Sequence, residues 1–234
     1  MKKFGYLVAG LVATAAMQAN ALPIIWTDWT SGSDNTVSSD IAHGVMNIDG
    51  NIVNVTFTGD IAFLQSSGGT NYWTAPSGTS PYTSTAVDNA PGTSDIIATS
   101  QAGVRQTITF SQAVENPVMA IVSTGQPGYP VTYAFDQDFE ILSQGRGYWG
   151  GTTASFVHPV GTNNLTGSEA HGTIQFSGAV TSISWTANPA EYWHGFTIGT
   201  SGLANPAVPE PSTLVLSFLG LAGMAVVARR RKKV

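Results

Sequence analysis

The sequence predicts an all-β fold: an antiparallel β-sandwich, jelly-roll-like, with an N-terminal signal peptide and a single C-terminal transmembrane helix. Three observations carry this. Between residues 40 and 200, apolar and polar residues alternate in short runs, the period of a half-buried strand. Gly, Pro and Asn pairs punctuate those runs, as turns between strands require. No helical pattern of twelve residues occurs outside the two ends. Many short strands with recurrent turns are the sequence form of a sandwich.

The elements follow in order. Lys2 and Lys3 precede an uncharged apolar run, Phe4 to Met17, and then Ala19-Asn20-Ala21, a small-x-small cleavage site. This is the pattern of a secretory signal peptide, residues 1–21, too short and wrongly flanked for a stable span. The body, residues 22–204, begins near Leu22. Asp49-Gly50 between runs 45–48 and 52–58 signals a two-residue hairpin. Val53, Val55 and Phe57 share one face, and Asn54, Thr56 and Thr58 the other. Val104, Ile108 and Phe110 alternate with Arg105, Thr107 and Thr109. Residues 118–122 are apolar without a break, which suits a strand buried on both faces. Further strands are expected at 131–135, 139–142, 153–157, 173–176, 180–186 and 195–198. Turns are expected at Pro127-Gly128, Gly145-Arg146-Gly147, Gly150-Gly151 and Asn188-Pro189. Residues 65–100, rich in Ser, Thr, Gly and Pro, read as a long excursion that belongs to the domain, because Tyr72, Trp73 and Tyr82 lie within it.

Charge is distributed unevenly. Of nine Lys and Arg, two lie in the signal peptide and five at the C-terminal end, leaving Arg105 and Arg146. Thirteen of fourteen Asp and Glu fall in residues 22–208, so the body carries a net charge of −11 against −5 for the whole chain. Such a surface repels phosphate backbones and disfavours nucleic acid as a partner. The chain has no cysteine, which excludes thiol catalysis, thiolate metal sites and iron–sulfur clusters.

No catalytic constellation stands out. Asp136, Asp138, Glu140, Glu169 and Glu191 are the carboxylates from which a glycosidase pair would have to come. Asp136, Asp138 and Glu140 alternate and would share one face if extended, which also makes them candidate calcium ligands. Otherwise no cofactor is expected. His43, His158, His171 and His194 form no H-E-x-x-H pattern and read as loop or core-edge residues. Aromatics are the better clue. Trp26, Trp29, Trp73, Trp149, Trp185 and Trp193, with Tyr148 and Tyr192, are a rich supply for one domain. Trp185 is in phase with Ile183 and reads as core. Trp149 and Trp193 sit at strand ends, where exposed rings would contact glycan.

The C-terminal end completes the pattern. Thr213 to Ala228 gives sixteen residues without a charge, about 24 Å as a helix and slightly short of a hydrocarbon core of about 30 Å. Arg229, Arg230, Arg231, Lys232 and Lys233 follow, and basic residues stay cytoplasmic while their stems extend a short span. Val208-Pro209-Glu210-Pro211-Ser212, then the apolar stretch 213–228, then the basic cluster 229–233, resembles the PEP-CTERM sorting signal of exopolysaccharide-producing bacteria. That resemblance, assigned to residues 205–234, implies export, a transient single-pass inner-membrane anchor, recognition by an exosortase-type enzyme and final display at or beyond the cell surface. Residues 105–200 also resemble an extracellular β-domain that often precedes this signal, which implies no established activity. The preferred reading is a non-enzymatic surface or matrix protein among extracellular polysaccharide. A carbohydrate-binding module is the alternative, and a glycan-active hydrolase the third. Exposed coplanar aromatics would favour the module, and two facing carboxylates in a cleft the hydrolase.

Overall fold

The computed structural model describes residues 21–33, 39–76, 78–92 and 94–204. Residues 1–20 of the signal peptide and the sorting-signal region, residues 205–234, lie outside the described residues. The described residues form strands and turns without a helix. In chain order the strands begin with β1 (Ile25–Trp26), β2 (Asp28–Ser33), β3 (Asp40–Ile48), β4 (Asn51–Gly59) and β5 (Phe63–Gln65). They continue with β6 (Ile96–Thr99), β7 (Arg105–Glu115), β8 (Val118–Thr124), β9 (Val131–Phe135) and β10 (Phe139–Gly145). The last are β11 (Phe156–Val157), β12 (Asn164–Gly167), β13 (Ala170–Phe176), β14 (Ala179–Asn188) and β15 (His194–Thr200).

They build two antiparallel sheets. One runs β10-β13-β8-β15-β6-β5, with β1 also paired to β15; the other runs β11-β12-β9-β14-β7-β4-β3-β2. From β6 to β10, and again from β12 to β15, each strand lies in the sheet opposite its predecessor. The chain is therefore wound as a roll, and its connections gather at the two ends of the sandwich.

Local chemistry accounts for the elements. Asp49 and Gly50 both have positive φ, 51° and 87°. A two-residue hairpin turn with that handedness matches strand twist, and Asp-Gly supplies it at low cost. Val53, Val55 and Phe57 point inward from β4. They join Ile108, Ile183, Trp185 and Phe196 in the main core between the sheets. The strand expected at 153–157 is shorter: only Phe156 and Val157 pair, with Gly167 and Thr166.

The excursion has a packing role. Trp73 and Tyr82 lie on Ile96, Ala120 and Val122, covering the outer face of the seven-stranded sheet. Met119 and Ile121 of the same strand face the main core. Residues 118–122 are thus buried on both faces because one face meets the second sheet and the other meets this loop. Three of the acidic residues are also interior. Asp40 accepts the Ile61 N–H at 3.1 Å, and Asp60 accepts those of Ser100 and Gln101 at 2.5 and 2.9 Å. Asp95 accepts the Trp29 N–H at 3.3 Å. These carboxylates clip loops to strands, since a buried charge persists only when hydrogen-bonded. The acidity of the body is therefore not all a surface property.

Candidate aromatic and carboxylate cleft

One end of the seven-stranded sheet gathers residues far apart in sequence. The register places Gly145 of β10 opposite His171 of β13, and Ala170 opposite Thr124 of β8. It also sets Gly195 of β15 opposite Val122. Between the pairs Ala170–Thr124 and Gly172–Ile121 the register shifts, so Val122 and Ser123 together oppose His171. Such a bulge re-aims a side chain. Here it turns Ser123 to a φ of 60°, and its hydrogen-bonded partner Glu169 has a φ of 52°. Left-handed backbone at residues with a Cβ is costly and clusters at functional sites.

Beneath this surface lie two carboxylate–imidazole pairs. Glu169 Oε1 accepts the Ser123 hydroxyl at 2.8 Å and lies 3.2 Å from His171 Nε2. The Ser123 N–H donates to His171 Nδ1 at 3.2 Å, while Nε2, although close to the carboxylate, makes no hydrogen bond among the described residues. Glu191 Oε1 accepts the Gly125 N–H at 3.0 Å and lies 2.5 Å from His194 Nδ1. Both imidazoles are buried. In each glutamate Oε1 takes all these contacts, and among the described residues Oε2 receives no hydrogen bond.

Above the pairs is an open cleft of about 420 Å³, lined by Ser123, Glu169, Glu191, Trp149, Tyr192 and Trp193 with Gln126 at its edge. A run of aromatic rings forms its flank. Phe63 meets Trp193 at 5.0 Å, Trp193 meets Tyr72 at 5.1 Å, Tyr72 meets Tyr148 at 5.1 Å and Tyr148 meets Trp149 at 4.8 Å. The planes cross at 60° to 83°, so the rings form a ridge rather than one flat platform. Trp149 is 54% exposed and Tyr192 87% exposed.

The glycines of Gly145-Arg146-Gly147-Tyr148-Trp149-Gly150-Gly151 hold that ridge against the pairs. Gly147 and Gly150 exchange backbone hydrogen bonds, which closes a tight loop. A Cβ on Gly147 would stand 2.3 Å from the His171 ring, and one on Gly151 would stand 2.4 Å from the Glu169 carbonyl oxygen. The turn chemistry read in the sequence is thus also a close-approach requirement.

The sequence candidates divide as follows. Trp149 stands exposed at the cleft, while Trp193 is half-buried against Phe63 and Tyr72 and serves as wall. Tyr192 is the exposed ring beside it. Trp29, Trp73 and Trp185 are core. Glu169 and Glu191 come together in one cleft. Asp136, Asp138 and Glu140 do not form the shared face expected of them. Asp136 precedes β10, accepts the Ser184 N–H at 3.0 Å and pairs with Arg105 at 3.8 Å. Asp138 accepts the Phe139 N–H at 2.9 Å, and Glu140 is exposed on β10. Among the described residues no group of three His, Cys, Asp or Glu is placed to hold a metal ion. His171 and His194, read as loop or core-edge residues, are buried partners of the two glutamates. Glu191-x-x-His194 was the available signal, but only the fold shows that Glu169 and His171 lie beside it.

The C-terminal end is settled by comparison with known proteins. Residues 207–232 match the PEP-CTERM protein-sorting motif. No curated protein and no solved structure matches the chain. The chain therefore carries a PEP-CTERM protein-sorting motif at its C-terminal end, the mark of an exported protein transiently anchored at the membrane and sorted by an exosortase.

Proposed function

We propose that this exported chain is a non-enzymatic surface protein whose sandwich binds glycan in the cleft between Glu169, Glu191, Trp149 and Tyr192. The observation that carries the reading is the exposure of Trp149 and Tyr192 beside two carboxylates in one concavity; the ridge rings are not the coplanar set expected of a module, so a sugar would stack on one exposed ring rather than on a flat platform. Sugar C–H faces stack on exposed rings, while carboxylate oxygens accept hydroxyl hydrogens. Loops at one end of a rigid sandwich are the usual carriers of such sites. On this reading Arg229 to Lys233 hold the C-terminus in the cytoplasm until processing, after which the body joins the extracellular polysaccharide. No cofactor is required.

The test uses the full-length chain in mild detergent, applied to insoluble polysaccharides. Retention is expected, and Trp149→Ala or Tyr192→Ala should reduce it about tenfold without lowering the melting temperature. Absence of retention on every polysaccharide, or loss only through unfolding, overturns the glycan site and leaves a structural surface protein. A second reading has its own support: two glutamates in one cleft are what a glycosidase needs. Release of reducing sugar, abolished by Glu169→Gln or Glu191→Gln, would establish it in place of simple binding.

A further inference from the structure

The cleft has a chemical bias beyond glycan binding in general. Each glutamate commits Oε1 to the protein and leaves Oε2 without a donor among the described residues. No lysine or arginine lines the cleft to neutralise them. The body's two cations lie elsewhere: Arg105 pairs with Asp136 on the other sheet, and Arg146 lines a separate groove with Gly78 and Thr153. The rings at the rim, Trp149, Tyr192 and Trp193, present π faces that attract a cation. A ligand that brings positive charge on a ring-shaped apolar body meets both demands. Resting on the glycan reading above, we infer that the cleft selects a glycan carrying free amines, a polymer of deacetylated hexosamine, whose ammonium group sits at Glu169, over the buried charge of Glu191, while the sugar ring lies on Trp149 or Tyr192.

The two anchors supply different parts of the recognition. Buried His194 and the Gly125 N–H hold Glu191 from below, and the Ser123 hydroxyl holds Glu169, so their orientation costs no further ordering when ligand arrives. The bulge at Ser123 aims that hydroxyl at Glu169. The net charge of −11 on the body concentrates a polycationic glycan near the surface and repels anionic ones.

The experiment compares soluble glucosamine oligomers with the fully N-acetylated oligomers of equal length, using the full-length chain in mild detergent. The deacetylated oligomer is expected to bind at least tenfold more tightly, and the preference should shrink as salt is raised. Glu169→Gln, whose amide oxygen still accepts the Ser123 hydroxyl, should weaken the deacetylated oligomer about tenfold and collapse the preference. Asp49→Asn, in the distant β3–β4 turn, should leave the preference as it is. Equal binding of both oligomers overturns the amine assignment while the glycan reading stands. Binding of neither, nor of any neutral polysaccharide, overturns both. Binding of oligolysine as tightly as the glucosamine oligomer shows a site for cations rather than sugars and also overturns the assignment.

Discussion

Replacing Glu191 by alanine separates the supporting role of the carboxylate–imidazole pairs from a merely decorative one. The Glu191 and His194 side chains are 2% and 1% exposed, so water can replace neither partner. The substitution removes the acceptor from the Gly125 N–H and from His194 Nδ1. His194 Nε2 already lacks a partner, so the whole imidazole would be left without one. Hydrogen bonds to charged groups contribute about 1.5–3 kcal/mol each, and breaking a buried pair from one side costs about 3–5 kcal/mol. Both routes place the loss near 4 kcal/mol. In a domain of this size each kcal/mol moves the melting temperature by about 2–4 °C, so a drop of roughly 8–16 °C is expected. Glu191→Gln keeps the shape and one acceptor oxygen and should lose less than half as much. Glu169→Ala should also lose less, because that side chain is 16% exposed and its partner Ser123 can turn to water. Thermal and urea unfolding of residues 22–204 would measure all three; the three core clusters fall within that span. A loss below about 1 kcal/mol for Glu191→Ala, or equal losses for the alanine and glutamine variants, would refute the reasoning.

Two further outcomes are expected. Burial raises the phenol of Tyr82, and the Glu169 carboxylate raises it further. Burial also raises Tyr133, where the Thr124 hydroxyl opposes and the Glu191 carboxylate reinforces the shift. A folded pKa above the unfolded value of about 10 gives stability that is complete below pH 10 and lost as pH rises beyond it. Alkaline unfolding should therefore begin above about pH 10, and Tyr82→Phe and Tyr133→Phe should move its onset upward; an onset insensitive to both would contradict this. Gly147→Ala should cost about 1–3 kcal/mol, because its Cβ collides with His171, and should weaken glycan retention by displacing Tyr148 and Trp149. Wild-type retention in that variant would show that the ridge does not depend on this close approach.

Strand pattern and core phase were readable because both follow from local rules. Alternation identified Val53, Val55 and Phe57, phase identified Trp185, and an unbroken apolar run marked 118–122 as buried on both sides. The cleft was not readable in the same way. Glu169 and Glu191 stand 22 residues apart, and their meeting depends on β13 and β15 flanking β8. The bulge that turns Ser123 has no signature in the residues around it. Tyr192-Trp193 shows the limit of local reasoning: two adjacent rings near a strand start, one 87% exposed and one half-buried, divided by whether Phe63 and Tyr72 arrive from the excursion. The separation of Asp136, Asp138 and Glu140 has a similar cause. Alternation places side chains on one face only where the backbone is extended, and Asp136 and Asp138 lie in the turn before β10.

The position of the cleft relative to the sorting signal follows from one strand. β15 starts with His194, beneath the cleft, and ends at Thr200, opposite Ile25 of β1. Six residue steps at about 3.3 Å put those ends roughly 20 Å apart. Beyond it Leu203 bridges to Val114, and the Ala204 N–H donates to the Ala113 carbonyl near the end of β7. Thr186 and Arg105, at the other end of the same pairing, mark the side on which the cleft lies. The chain thus enters its sorting signal from the end of the sandwich opposite the cleft. On the proposed reading, binding should therefore not wait for processing. Cells that retain the unprocessed chain, for example through Glu210→Ala, should bind a fluorescent glucosamine oligomer as tightly per molecule as the released protein does. Binding that appears only after release would mean that the end carrying Leu203 and Ala204, not the Trp149 and Tyr192 end, carries the site.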